Sequence, residues 1–368
     1  MKGLELAQYY YFECVQPLIA VHLPQLNNAY AAGLIGFGSD VIGNDDEFSQ
    51  DHEWGPRLIL FLREVEYSHF AEQLDSVLNK VLPRKFRGYS TRFQPDPKQG
   101  HTLVMTKSPE GRHNIVVTTP KRFMQLTLGV STRPQQAIEW LTIPEQRLLE
   151  FTNGAIFADP IGEISYHRQQ FAYFPTAVWQ YKLAYIFESL GWELGLISLC
   201  GRRGDSLSMH LNTAVTIERL IKLAFLLHRR YCPGYKKWLQ REFDKLPDTS
   251  LVVGPLLHQA LHATYHDDIV TYLNEALAYL YQQLLALDEL EANLPNELPE
   301  KDNRGGAIID TQCIATYLLD SISDPLQTLR IHNAPYGAID QWVTNEDILL
   351  SAAHTQSLLS VYRAGEVA

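Results

Sequence analysis

Residues 34–54, LIGFGSDVIGNDDEFSQDHEW, decide the fold of this chain. They begin in an apolar run that is typical of a buried strand and pass into a glycine-rich turn at 36–39. Eleven residues then separate Ser39 from the segment 51–54, Asp-His-Glu-Trp, which precedes a second apolar run, RLILFL. The stretch therefore predicts two buried strands joined by a turn and an acidic loop.

The acidic residues after this loop predict a metal site. If the second strand begins at Asp51, then Asp51 and Glu53 point to the same face, because side chains alternate along a strand. Two adjacent carboxylates repel each other unless a cation lies between them, and Mg²⁺ commonly takes one or two carboxylates plus substrate phosphates. Gly38 permits close approach of the backbone to a phosphate, and Ser39 adds a hydroxyl donor. We predict Asp51 and Glu53 as metal ligands.

This pattern resembles the nucleotidyltransferase superfamily typified by DNA polymerase beta and the kanamycin nucleotidyltransferases. Its signature is an apolar residue, Gly, then Gly or Ser, about ten residues, and Asp-x-Asp/Glu; residues 37–39 and 51–53 fit it. The chain is more similar still to an uncharacterised bacterial branch of that superfamily, known only as a domain of unknown function. That similarity is carried by the segments 36–57, 148–164, 174–193 and 226–239.

The resemblance implies a reaction. Two Mg²⁺ ions would hold a nucleoside triphosphate, with Asp51 and Glu53 as the catalytic metal ligands and Gly38 and Ser39 on the β- and γ-phosphates. A hydroxyl of a small molecule or a protein would attack the α-phosphorus, and pyrophosphate would leave. We predict a nucleotidyltransferase.

Two basic residues are further candidates for nucleotide binding. Arg57 follows Gly55-Pro56 closely enough to face the same site. Lys237 follows a break after a long predicted helix, and lysine is a compact cation suited to polyphosphate. We predict that both contact the nucleotide.

One departure from the superfamily pattern leaves an alternative open. Active members supply a third carboxylate from a later strand, but the corresponding run here, 113–118, has Val116 where that acid is expected. Asp159 is the nearest acid downstream. If no other acid completes the site, the chain is a catalytically inactive nucleotide sensor or a partner-binding protein on the same fold.

A third hypothesis rests on three histidines. His258, His262 and His266 recur every four residues, so one helix would place them on one face, where a pair of histidines can bind a transition metal. No HExxH pattern accompanies them, and this hypothesis ranks last.

Composition excludes several functional classes. The chain has 368 residues and a net charge of −11, which is a poor match to duplex DNA or long RNA. Its four cysteines form no CxxC pair, so free thiols in a reducing compartment are expected. The N-terminal segment has no signal-type apolar core, and no uninterrupted apolar run is long enough to cross a membrane. We expect a cytoplasmic protein without a membrane partner.

The order of elements predicts an α+β fold. An amphipathic pattern from about Val65 to Val81 predicts a helix, and HTLVMTK and NIVVTT predict two more strands. Beyond Phe174-Pro175 nearly all of the sequence is typical of helices. We predict an N-terminal helix over 1–28 packing on a nucleotidyltransferase-like domain over 29–165, which has a small mixed sheet and flanking helices. An all-helical bundle domain follows over 166–368.

Overall fold

Residues 1–98, 100, 102–290, 292–302, 307–322 and 325–364 are described by a computed structural model. They form two compact units. The first comprises Met1–Arg133 and Arg147–Ala172, and the second comprises Pro134–Gln146 and Tyr173–Ala368. The division at 172/173 lies close to the boundary predicted at 165/166 between the last two domains, and residues 134–146 belong to the second unit. The last residues of the predicted helical domain, 365–368, lie outside the described residues.

The helices are, in chain order, α1 Gly3–Tyr10, α2 Gln16–His22, α3 Glu64–Val81, α4 Pro120–Leu128, α5 Ala137–Trp140, α6 Glu145–Thr152, α7 Glu163–Gln170, α8 Thr176–Arg203, α9 Ser206–Leu227, α10 Lys236–Phe243, α11 Thr249–His262, α12 His266–Leu285, α13 Thr311–Asp320, α14 Ile339–Trp342, α15 Glu346–Leu350, α16 Ala352–Ser357 and α17 Leu359–Ala364. A π-helical turn, Tyr11–Val15, joins α1 to α2. The strands are β1 Tyr30–Leu34, β2 Arg57–Leu62, β3 Lys85–Phe86, β4 Tyr89–Ser90, β5 Phe93–Pro95, β6 Leu103–Met105, β7 Asn114–Thr118, β8 Ala155–Ala158, β9 Glu300–Asp302, β10 Ala307–Ile309, β11 Arg330–Ile331 and β12 Ala334–Pro335.

A four-stranded mixed sheet organises the first unit, with strand order β7-β2-β1-β8. β1 is antiparallel to both β2 and β8, whereas β2 is parallel to β7. Every residue of β1 and β2 is buried, because helices cover both faces of these strands. On one face Leu60 shares a core with Leu6 of α1 and Leu74 of α3, and on the other Phe61 packs edge-on against Phe123 of α4. The predicted α+β fold is confirmed.

The second unit is built mainly from helices. The long helices α8, α9, α12 and α13 pack together, and the buried indole of Trp179 donates a hydrogen bond to the carbonyl of Leu226 at 2.9 Å. Two short hairpins, β9–β10 and β11–β12, accompany the predicted helices. His332 and Asn333 both have positive φ, which suits the two-residue turn that closes the second hairpin.

Helix α8 is long and apolar enough to cross a membrane by length and composition alone. Half of its most apolar window is buried inside the protein, and its buried residues include the charged Lys182. The apolar residues of α8 are therefore explained by its position in the core of the second unit.

Candidate functional site

Three neighbouring strands have their ends together at one end of the sheet, where the Gly38–Ser39 turn and Arg57 lie. Gly33 pairs with Ile59 in the antiparallel register of β1 and β2, and Arg57 pairs with Asn114 in the parallel register of β2 and β7. The end of β1 therefore lies beside the beginnings of β2 and β7. The turn after Leu34 and the segment before Arg57 both leave the sheet here, at what we call the Gly38 end.

The Gly38 turn is held by an ion pair that sequence reasoning missed. Nη2 of Arg57 donates to the carbonyl of Phe37 at 2.9 Å and to Oδ1 of Asp40 at 2.6 Å. Asp40 is almost completely buried, at 1% exposure, and Arg57 is also buried. The only signal for this pair in the sequence is a lone acid directly after Gly38-Ser39. Through these contacts Arg57 stabilises the turn. Its predicted contact with nucleotide stays a prediction.

Gly38 is required by both conformation and space. Its φ of 139° lies where other residues are strained, and an added Cβ would come within 2.2 Å of Nη2 of Arg57 and 2.3 Å of Oδ1 of Asp40. Ser39, half-buried beside it, accepts a hydrogen bond from the N–H of Asn44 with its backbone carbonyl at 2.8 Å. The turn is therefore a rigid feature into which only glycine fits.

We expect Gly38→Ala to lower the free energy of unfolding by more than about 3 kcal/mol, the upper end of the cost of a strained φ. The reason is that the new methyl group also disrupts the buried Arg57–Asp40 pair. Urea unfolding followed by circular dichroism measures the loss. Gly43→Ala is the matched control, because Gly43 also has positive φ but nothing within 4 Å of its Cβ position. The control is expected to lose only about 1–2 kcal/mol. Equal losses in the two variants would show that the ion pair does not constrain Gly38.

The predicted strand at residues 51–53 is wrong. These residues form bends, and β2 begins only at Arg57. Trp54 is buried, Gly55 has a φ of 132°, and Pro56 has no N–H to donate, so the chain turns before it enters the sheet. The alternation that was to place Asp51 and Glu53 on one strand face therefore does not apply.

The two carboxylates have different surroundings. The side chain of Asp51 is 63% exposed and lies 3.0 Å from Nδ1 of His52. Glu53 has a φ of 49°, and its Oε1 accepts the N–H of Leu103 in β6 at 2.8 Å. Its Oε2 has a longer contact, 3.5 Å, with Nδ2 of Asn114. A backbone donor thus holds one oxygen of Glu53 and leaves the other weakly engaged.

A second buried acid in the loop has a structural role. Asp45, 3% exposed, accepts the N–H of Gly3 at 2.7 Å and lies 3.3 Å from the indole nitrogen of Trp54. Its carboxylate therefore faces the N-terminus of α1, where the helix dipole favours a negative charge. Sequence reasoning did not single out this contact, because it joins residues 42 positions apart.

Among the described residues, no group of three or more His, Cys, Asp or Glu side chains is placed to hold a metal ion. Val116 of β7 pairs with Ile59 and is 47% exposed, so the strand supplies no acid there. Asp159 accepts the N–H groups of Gly162 and Ser165 at the start of α7. Asp51 and Glu53 each carry a carboxylate of the kind that Mg²⁺ takes, but the strand alternation that was to bring them to one face does not apply, so their predicted shared ion stays a prediction.

The remaining predicted residues lie in the second unit. Lys237, near the start of α10, has its Nζ about 5.5 Å from the centre of the Tyr235 ring. His258 and His262 stack in α11, but that helix ends at His262 and His266 begins α12. The single helical face predicted for the three histidines is therefore wrong.

Comparisons with known proteins show similarity to a family model and to solved structures. Residues 140–239 match a family model described as "Domain of unknown function (DUF4037)". A crystal structure of a nucleotidyltransferase-like protein from Exiguobacterium sibiricum 255-15 is similar at 11% sequence identity and a TM-score of 0.33, covering 74% of this chain and 76% of that chain. A TM-score this low carries no inference about function. No curated protein matches the chain.

Proposed function

We propose that the chain binds a nucleoside triphosphate with Mg²⁺ at the Gly38 end of the sheet and transfers the nucleoside monophosphate to a hydroxyl. The observation that supports this proposal is the convergence of the Gly38–Ser39 turn, Arg57 and the Glu53–Asn114 contact on the ends of three adjacent strands. The pattern of residues 37–53, which resembles nucleotidyltransferases, agrees with it.

In this proposal the protein binds and orients the nucleotide. The Gly38 turn, held by Arg57 and Asp40, presents its backbone and the Ser39 hydroxyl to the β- and γ-phosphates. Asp51 and Glu53 would hold Mg²⁺, and the Leu103 N–H donates to Oε1 of Glu53. When bound, Mg²⁺ neutralises phosphate charge and stabilises the attacking and leaving oxygens.

The proposed transfer needs no reactant beyond the nucleoside triphosphate and the acceptor. The acceptor oxygen forms a bond to the α-phosphorus, the bond from that phosphorus to the α,β-bridging oxygen breaks, and pyrophosphate leaves with the electron pair. The acceptor proton passes to solvent. Most of the rate enhancement would come from positioning and charge neutralisation. The acceptor is a small molecule or a protein.

Val116 favours a second candidate function. Because β7 offers this apolar residue where a third carboxylate is expected, the same site suits nucleotide binding without turnover. Such a chain would act as a nucleotide sensor or as a partner-binding protein. Both candidates require nucleotide binding and differ only in the release of pyrophosphate.

A panel of the four nucleoside triphosphates, each with and without Mg²⁺, tests binding. We expect at least one Mg²⁺–nucleotide to raise the melting temperature, because a ligand that binds only the folded state stabilises it. At a concentration one hundred times Kd the stabilisation is about 2.7 kcal/mol. Release of pyrophosphate in the presence of hydroxyl acceptors then separates the enzyme from the sensor.

The Glu47→Gln variant is the control for this panel. It removes one exposed charge from the same loop, outside the proposed site, and should respond to nucleotides as the native chain does. An unchanged melting temperature across the whole panel, with a known nucleotide-binding protein responding normally, would exclude both candidate functions.

A further inference from the structure

A cavity of about 220 Å³ lies within the second unit. One wall is apolar and includes Ile186 of α8 with Val215 and Leu226 of α9. The residues 232–236, which precede and begin α10, line another side. All lining residues belong to the second unit, and none of them is among the residues assigned to the Gly38 end.

Two lysines of this cavity form ion pairs with one carboxylate. Nζ of Lys222 lies 2.8 Å from Oε1 of Glu218, and Nζ of Lys236 lies 2.7 Å from Oε2 of the same side chain. The lysines come from different helices, α9 and α10, so their convergence is a feature of the fold. Burial alone would raise the pKa of Glu218, but Lys222 and Lys236 together lower that pKa to about 2. The position between the two ammonium groups therefore strongly favours an anion.

The two lysines have more N–H donors than Glu218 uses. Each lysine ammonium has three N–H groups, and Glu218 accepts from each lysine with one oxygen. A ligand that reaches Lys222 and Lys236 should therefore bring acceptors, and oxygens that carry negative charge make the stronger hydrogen bonds.

The other charged residues of the lining are Glu145, Arg219, Asp340 and Glu346, of which Glu346 is exposed at the start of α15. Glu145 and Asp340 both bind Lys182, and the guanidinium of Arg219 lies 3.3 Å from Glu193 and donates to the carbonyl of Gln341. An incoming anion would therefore bind at Lys222 and Lys236, where the nearby Asp340 also acts on Lys222 and helps to raise its pKa. The apolar wall then remains for an uncharged body.

We propose that this cavity binds a small molecule with an acidic group, phosphate or carboxylate, attached to an apolar body. The acidic group accepts hydrogen bonds from the spare N–H groups of Lys222 and Lys236 beside Glu218, and the apolar body lies along Ile186, Val215 and Leu226. This inference does not depend on the proposed nucleotidyl transfer, because no residue of the Gly38 end takes part.

Isothermal titration calorimetry of the full chain with four probes tests the proposal. Phenyl phosphate and benzoate carry both features, phenol lacks the charge, and inorganic phosphate lacks the apolar body. We expect one of the two acidic aromatic probes to bind with a Kd at least about tenfold below those of phenol and inorganic phosphate, since each missing feature removes a contact of about 1.4 kcal/mol or more. Which acid binds more tightly identifies phosphate or carboxylate as the natural group.

Variants test the position of the acidic group. Lys222→Met and Lys236→Met should each weaken binding of the preferred probe about tenfold or more, because each removes a charge-assisted hydrogen bond. The Lys236 side chain is 76% exposed, so its replacement is expected to leave the fold intact even if Lys222→Met perturbs it. Arg203→Met removes an exposed positive charge elsewhere in the unit and is the matched control.

Three outcomes would overturn the proposal: no acidic probe binding up to about 10 mM, phenol binding as tightly as the acids, or a folded Lys236→Met variant with unchanged affinity. The Asp51→Asn variant, altered in the other unit, should retain full probe binding. Failure of the nucleotide-transfer proposal therefore leaves the result of this titration unaffected.

Discussion

Replacement of Lys182 by methionine is expected to lower the free energy of unfolding by about 3–5 kcal/mol, the usual cost of removing one partner from a buried ion pair. Lys182 is 1% exposed, and its Nζ lies 2.9 Å from both Glu145 and Asp340. Methionine keeps the apolar stem of lysine without its ammonium group and leaves two buried carboxyl groups without their cation. The measurement is urea unfolding followed by circular dichroism.

The charge states of this cluster explain why the effect is large. Burial alone would lower the pKa of Lys182, but Asp340 and Glu145 together raise it above its ordinary value. Burial raises the pKa of Glu145 although Lys182 opposes this change. Lys182 is therefore the positive charge that offsets two buried carboxyl groups in the interior of the unit.

Two further variants separate charge from packing. Lys245→Met removes a lysine whose side chain is 43% exposed from the buried Glu242, which keeps Arg230 as a second cation at 3.5 Å, and should cost at most about 1 kcal/mol. Adding Glu145→Gln to Lys182→Met should recover part of the lost stability, because it removes one of the unpaired charges. A Lys182→Met protein as stable as the Lys245→Met control would contradict the assigned role of the cluster.

The second large effect concerns the proposed transferase activity. Once pyrophosphate release has been detected, Asp51→Asn and Glu53→Gln should each lower kcat/KM by more than about a hundredfold, since changes to the partners of metal ligands alone cost about 10–100-fold. Both substitutions remove charge and keep an acceptor oxygen. The glutamine that replaces Glu53 can still accept the Leu103 N–H, and the asparagine that replaces Asp51 can still accept the N–H of His52, so the fold should be unaffected.

The control for Asp51→Asn and Glu53→Gln is matched to them in charge change and in position in the chain. Glu47→Gln alters the net charge equally and lies in the same loop, so it should retain activity. Unfolding curves of all three variants should coincide within about 0.5 kcal/mol, as is usual for surface substitutions. If Glu53→Gln turned over substrate at the native rate, Glu53 would not be a metal ligand.

Local patterns predicted the elements that are stabilised by burial. The helix expected from about Val65 to Val81 is α3, Glu64–Val81, since its apolar face and the following Pro83 are both visible in the sequence. The apolar run 58–62 lies in β2, and the Asn114–Thr118 strand is also as expected. These features depend on residues that are close together in the chain.

The parts that sequence reasoning missed depend on contacts between distant residues. The start of β2 at Arg57 follows from burial of Trp54 and from the conformation of Gly55. The Lys182–Asp340 pair joins residues 158 positions apart, so no periodicity could indicate it. Asp40 was not predicted as the partner of Arg57, because the two residues are 17 positions apart and a single charged residue in a loop forms no pattern.

Residues 134–146 belong to the second unit although the residues on either side of them belong to the first. This arrangement has a consequence for how the coding sequence could be divided. The polypeptide passes between the two units three times, at 133/134, 146/147 and 172/173. A fragment that began at residue 173 would be translated without Glu145, and one that ended at residue 133 would be translated without the edge strand β8. Neither unit corresponds to one uninterrupted coding segment, so shuffling either of them between genes requires several coordinated junctions.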